Sequence, residues 1–199
     1  NGNIEYWSCS VCENNYATEA CIGKLTEEDI VILSVLNIPD FLVEVEEGRD
    51  PVVLQLSDTQ TWSWGAAPEE QCYKHVREVV GKTNPDLIII TGDIIYGEFD
   101  DTGKSLLAFI KKMESYNIPW APVWGNHDNE SVLGVDWQCQ QFINAKNCLF
   151  KKGITVGCSN YTIGIKNSDG ELNRLMYMMD SNGCYNASKI SVLQGVKTT

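Results

Sequence analysis

Histidine is almost missing from this chain: 199 residues hold only His75 and His127. An imidazole-rich metal centre cannot be assembled from so few, so an ion held here must lean on oxygen or sulfur donors. Basic side chains are scarce as well. Fifteen Lys and Arg stand against 27 Asp and Glu, a formal net charge of −12. That balance disfavours a nucleic-acid backbone or an anionic membrane surface as partner, because both would be repelled. A small anionic substrate stays open, since one bound metal ion reverses the local field. No apolar run approaches the roughly 18–20 residues of a membrane span. Prolines number six, and the 43% hydrophobic content is that of an ordinary soluble domain. The opening "NGNIEYWSC" has no initiator methionine, basic region or apolar signal core, so a processed or trimmed chain is expected.

Cysteine, by contrast, is abundant. Eight in a chain of this size lean toward an oxidising or metal-rich setting. Three fall early, in "YWSCSVCENNYATEAC". The Cys9-x-x-Cys12 spacing suits half of a zinc knuckle, with Cys21 as a third thiolate, and it equally suits a disulfide or reduced cysteines. This opening segment resembles a short cysteine-containing repeat of bacterial cell-surface proteins over about residues 2–32. The resemblance implies an extracellular or cell-surface location. We expect residues 1–36 to form a small CxxC-containing module, and residues 37–199 to belong to a second domain.

From Pro51 onward, short apolar runs alternate with helical patterns. "PVVLQL", "DLIII" and "PWAPVW" read as buried strands. Between them, "PEEQCYKHVREVV" places Cys72, Val76, Val79 and Val80 along one face, and "GKSLLAFIKKMESY" places Leu106, Ile110 and Met113 along another. Strand, helix, strand, helix, strand predicts a parallel βαβαβ unit. A helix over "DWQCQQFINA" and an antiparallel hairpin, 161–165 with 172–179 across "NSDG", should follow.

Each parallel strand ends in polar residues able to hold a metal: Asp58 with Gln60, Asp93 with Tyr96, and Asn126 with His127 and Asp128. In an open α/β sheet the loops at the carboxyl ends of neighbouring strands meet in one crevice. Carboxylates brought that close repel unless a cation lies between them, and hard oxygen donors suit iron, manganese or a similar ion. Taken singly, a strand-terminal Asp is as often a turn or cap residue.

In order, "SDTQ", "TGDIIYG" and "GNHDNES" resemble the motifs of the calcineurin-like metallophosphoesterases, and "NIPWAPVWGNHDNES" resembles the purple-acid-phosphatase-like branch of that family. The resemblance runs from about Val52 to Ser181. It implies a metallophosphoesterase-type α/β sandwich, here incomplete, with the family's carboxyl-terminal half missing. It also implies metal-dependent hydrolysis of phosphate mono- or diesters through a dinuclear centre with a bridging hydroxide. Two divalent or mixed-valence transition metal ions (Fe, Mn or Zn) would be held by Asp58, Gln60, Asp93 and Asn126, with Tyr96 as a further ligand. His127 would act on the leaving oxygen and Asp128 would orient it. Gln60 departs from the family, which has a histidine there. The family's later histidine loops have no counterpart either, because His75 lies in a helical pattern. A surface-displayed binding module that keeps the fold without turnover is the competing expectation.

Overall fold

Leu87–Thr91 (β5) reads LIIIT, and its first four side chains are buried. A run buried on both faces belongs in the middle of a parallel sheet. The structure, a computed structural model, places it there. It lies between Val53–Leu56 (β4) and Trp120–Val123 (β6), parallel to both, with Leu54 opposite Ile88 and Ile88 opposite Trp120. Described are residues 7–8, 15–16, 39–46, 48–62, 66–100, 102–153, 157–167 and 170–181.

The chain divides into two compact units, Asn1–Pro39 and Asp40–Thr199. In the first, Trp7–Ser8 (β1) pairs antiparallel with Asn15–Tyr16 (β2). Cys9, Cys12 and Cys21, assigned above to zinc or a disulfide, lie outside the described residues.

In the second unit, helices α1 (Ala66–Thr83) and α2 (Lys104–Glu114) make the two crossovers of the parallel sheet. On α1, Val76 and Val80 are buried and Cys72 and Tyr73 pack against the same core. Val79, expected on that face, is exposed instead. At the helical pitch it is turned about 60° from Val76, on the side away from Val80 and Tyr73, which moves it off the stripe. On α2, Leu106, Phe109 and Met113 are buried and Ile110 packs beside them. The start of α2 is fixed from outside the helix. Asp100, only 1% exposed, accepts the backbone N–H of Ser105 and of Leu106, satisfying two donors that a helix start leaves open. Helix α3 spans Gly134–Asn144 and buries Gln138, Cys139 and Phe142.

A second three-stranded sheet has the order Phe41–Glu44 (β3), Tyr161–Lys166 (β7), Leu172–Met178 (β8). The expected hairpin is there, with Tyr161–Lys166 (β7) antiparallel to Leu172–Met178 (β8). Phe41–Glu44 (β3), which the sequence reading did not anticipate, runs parallel to β7 along its other edge. Val43, Ile163 and Met178 of this sheet share one hydrophobic cluster with Leu87, Ile88 and Ile90 of the other. At its centre the fully buried Trp120 meets Phe109 and Phe142 edge-on. Tyr161 ties the two sheets by donating its hydroxyl to the Pro122 carbonyl at 2.5 Å. Mixed α/β architecture of the expected class results, with the carboxyl ends of β4, β5 and β6 on one side.

Candidate functional site

The three loops leaving those strand ends are laced together by their backbones. Beyond β4, Asp58 N–H donates to the Gly92 carbonyl at 3.2 Å, Gln60 N–H to Asp93 at 2.9 Å and Thr61 N–H to Ile94 at 3.1 Å. This prolongs the β4–β5 pairing past the strands and carries Asp58 and Gln60 alongside Asp93. The cost is local. Asp58, Gln60 and Asp93 all sit in the left-handed region, at φ of 55°, 40° and 53°. Such positions are uncommon for residues other than glycine and gather at functional sites.

The loop after β6 closes from the other side. His127 N–H donates to Asp93 Oδ1 at 3.0 Å, and Gly97 N–H returns to the His127 carbonyl at 3.1 Å. Glycine makes this approach feasible. A Cβ on Gly92 would lie 2.7 Å from Gly125 Cα, and one on Gly125 would overlap the Asp93 carboxylate. The paired glycines of "TGD" and "WGN" are therefore a steric requirement of bringing the two loops together.

Asp128 is the clamp. Its side chain is wholly buried. Oδ1 accepts the N–H groups of Ile94 and Ile95 at 2.9 and 3.0 Å, and Oδ2 accepts that of Gly125 at 2.7 Å. Burial pushes its carboxyl up to about 6, against these donors, with the neighbouring Asp93 charge adding to the rise. Both carboxylate oxygens of Asp128, expected from sequence to orient His127, are engaged with backbone of the β5 and β6 loops. The carboxylate on the imidazole is that of Glu130, with Oε2 at 2.9 Å from Nδ1. Sequence reasoning passed over Glu130. The signal was present in "HDNE", which sets a carboxylate three residues after the histidine, within reach if the segment coils as a tight 3-10 turn. It does so over Asp128–Glu130.

On its face the His127 ring meets Tyr96, stacked with centroids 4.5 Å apart and planes 24° from parallel. Tyr96 stacks in turn on Phe99 at 5.0 Å, and Trp62 packs on Phe99 at 5.0 Å. A chain of aromatic rings thus extends from the imidazole through Tyr96 and Phe99 to Trp62. Neither Trp62 nor Phe99 was singled out from sequence. His75 is exposed on α1 and lies apart from this constellation, as expected.

The donor chemistry can be tested against a metal ion. Asp93 is 9% exposed and has one oxygen on the His127 N–H. The other has a long 3.5 Å contact with the Gln60 amide, which leaves lone pairs on a nearly buried carboxylate. Asp58 is exposed beside it and takes the Ser57 hydroxyl at 2.5 Å. Asn126 is half-buried between Gly125 and His127. Two carboxylates and two carboxamides on adjoining loops are hard oxygen donors that fit a hard cation. Among the described residues, no group of three His, Cys, Asp or Glu side chains gathers at one metal position. The donors here include only two of that kind, and the fit is to an oxygen-lined site.

Comparison with known proteins bears on this geometry. The calcineurin-like phosphoesterase profile matches residues 51–189. Phosphatase DCR2 of Saccharomyces cerevisiae is 30% identical over 172 residues, covering 75% of this chain and 29% of that protein. Probable inactive purple acid phosphatase 28 of Arabidopsis thaliana is 46% identical over 61 residues, 30% of this chain and 15% of its own length. A probable cyclic nucleotide phosphodiesterase of Moraxella catarrhalis is 30% identical over 105 residues, 48% of this chain and 37% of its own. The aligned segments therefore cover well under half the length of each of these relatives.

Proposed function

The chain belongs to the calcineurin-like phosphoesterase family, and from that premise we propose that the crevice at the ends of β4, β5 and β6 hydrolyses phosphate esters with bound metal. Members of this family generally use two metal ions. Asp93 carries the proposal: a nearly buried carboxylate at the junction of three loops, with His127 N–H on one oxygen and only a long amide contact on the other.

Asp93, Asp58, Gln60 and Asn126 would hold the metal, and an ion bound there supplies Lewis acidity toward a phosphoryl oxygen. The protein's own residues do the rest. The left-handed turns at Asp58, Gln60 and Asp93 fix their backbones before substrate arrives, so little reorganisation is needed at the reacting centre. His127, 12% exposed at its side chain, is placed to give a proton from its ring to the departing ester oxygen, which would otherwise leave as an unstable alkoxide. Its stacking on Tyr96 supports a role for Tyr96 as wall and brace of the imidazole rather than as a ligand. The stack continues through Phe99 to Trp62.

A second reading, a binding module without turnover, is supported by Gln60 standing where the family has a histidine. A relative named as a probable inactive phosphatase points the same way. Cell-surface display is a separate proposal, supported by the likeness of residues 2–32 to a surface-protein repeat.

Hydrolysis of an aryl phosphate monoester and diester, with manganese or ferrous iron added and then removed by chelation, separates the two readings. Turnover that follows the metal and falls at least about 100-fold in Asp93→Asn and in His127→Ala supports the enzyme. Metal uptake with no turnover of either ester supports the binding module.

A further inference from the structure

We propose that Cys139 and Cys158 are a disulfide site, a covalent modification that ties helix α3 to the segment leading into β7. The proposal is independent of the hydrolytic reading of the crevice. Cys139 lies on the buried side of α3, 1% exposed, and Cys158 packs half-buried against the same core. The structure holds both as thiols, with their side chains in hydrogen-bonding contact.

Neighbouring bonds bring the two segments together without help from sulfur. One turn before Cys139, Asp136 takes the Lys152 ammonium at 2.5 Å. Gly153 N–H then donates to the Cys158 carbonyl at 2.9 Å, which brings Cys158 back beside the segment that Asp136 anchors. Cys158 N–H is held as well, donating to Asp180 Oδ2 at 2.7 Å. One thiol thus hangs from a helix and the other from a backbone fixed at both its N–H and its carbonyl. Cys148 lies beside Trp120 of β6, in an isolated bridge, and is not part of the pair. Among the described residues no group of three His, Cys, Asp or Glu gathers at one metal position. Two thiols are too few for a tetrahedral ion and enough for a bond to each other.

Burial pushes the Cys139 thiol up to about 12 and raises Cys158 too, so neither is an activated nucleophile and the bond's role is structural. It forms by exchange with a small-molecule disulfide. Cys158, the more accessible sulfur, attacks one reagent sulfur as thiolate and displaces the other. Cys139 thiolate then attacks the Cys158 sulfur of the mixed disulfide and displaces the second reagent thiolate. Two protein thiols are oxidised, one reagent disulfide is reduced, and the two cysteine protons pass to the departing thiolates.

Lys146, Lys151 and Lys152 put Cys139, Cys148 and Cys158 on separate tryptic peptides, so mass spectrometry reads the pairing directly. The full chain is refolded with oxidised and reduced glutathione, alkylated to cap remaining thiols and digested without reduction. Residues 113–146 should be found linked to residues 153–166, with Cys148 alkylated. The linked chain should unfold in urea at a midpoint about 1 M or more above its reduced form, because closing a loop of about 20 residues restricts the unfolded chain. In Cys158→Ser, which exchanges one half-buried atom, the gap between oxidised and reduced midpoints should close. Cys139 and Cys158 both alkylated, or either one joined to a different cysteine, overturns the proposal. So does a linked chain whose midpoint is no higher than that of the reduced chain, since the bond would then be strained against the fold.

Discussion

Gly125 and Asp93 share a space that one methyl group would fill. An added Cβ at Gly125 would meet both the Asp93 carboxylate and its backbone N–H, so Gly125→Ala must push the β6 loop off the β5 loop. The His127 N–H to Asp93 bond and the Asp128 contact to Gly125 N–H would loosen together. We expect a loss of about 1–3 kcal/mol in urea unfolding, the range for overpacking. Loss of metal-dependent hydrolysis should accompany it. A Gly125→Ala chain with unchanged midpoint and unchanged turnover would contradict the close approach. At this scale the sequence was readable where an apolar run breaks on a charge. Asp93 and His127 stood out because isoleucines and a proline-rich strand stop just before them. Glu130 did not, because its meaning depends on how the segment turns, and a carboxylate in a polar loop looks solvated until the turn is known. Asp128 was noticed beside the histidine, but its backbone N–H partners were not, because they leave no trace in a side-chain pattern.

Among the elements, β4 and β5 are fastened at their starts as well as at the site. Arg49 reaches both oxygens of Asp86, one through Nη1 at 2.8 Å and the other through Nη2. Val52 N–H donates to Asp86 Oδ2 at 2.8 Å, and Asp86 N–H returns to the Val52 carbonyl at 2.8 Å. The Arg49 guanidinium holds the Asp86 carboxyl below its ordinary value, with the Val52 N–H helping and partial burial opposing. A carboxyl depressed by folding contributes stability above its unfolded value, near 3.8, and loses it as pH falls through the lower folded value. Asp86→Asn should therefore lower the unfolding midpoint at pH 7 by the equivalent of about 1 kcal/mol. The gap from wild type should close as pH drops below about 4. A gap that stays constant from pH 7 to pH 3 would show that the charge is not what matters. The sequence revealed the elements unevenly. β5 and β6 announce themselves because every neighbouring surface is apolar. β3 does not. Only one of its four residues is buried, and its partner β7 lies 120 residues downstream, so neither composition nor local spacing marks it as a strand. On α1 the stripe was found but drawn one position too wide at Val79, since periodicity gives a direction and only packing gives the width of the face.

At the scale of the second unit, one cluster of buried residues spans its two three-stranded sheets, and the polar loops at one end are held by backbone pairing and by the Asp93 and Asp128 carboxylates on backbone N–H groups. That arrangement sets a rim of hydrogen-bonded oxygen donors on a strongly acidic protein. A net charge of −12 attracts any divalent cation weakly everywhere, so bulk affinity alone does not identify the site. Position does. The direct measurement is paramagnetic broadening of amide NMR signals by substoichiometric Mn2+, at about 0.15 M salt to screen the diffuse attraction. It is made on the wild-type chain and on Asp93→Asn. Signals of residues 58–61, 92–96 and 125–127 should broaden first in the wild type, and this selectivity should vanish in Asp93→Asn. Broadening spread over the acidic surface, or the same pattern in both proteins, would contradict a metal site at the junction of the three loops.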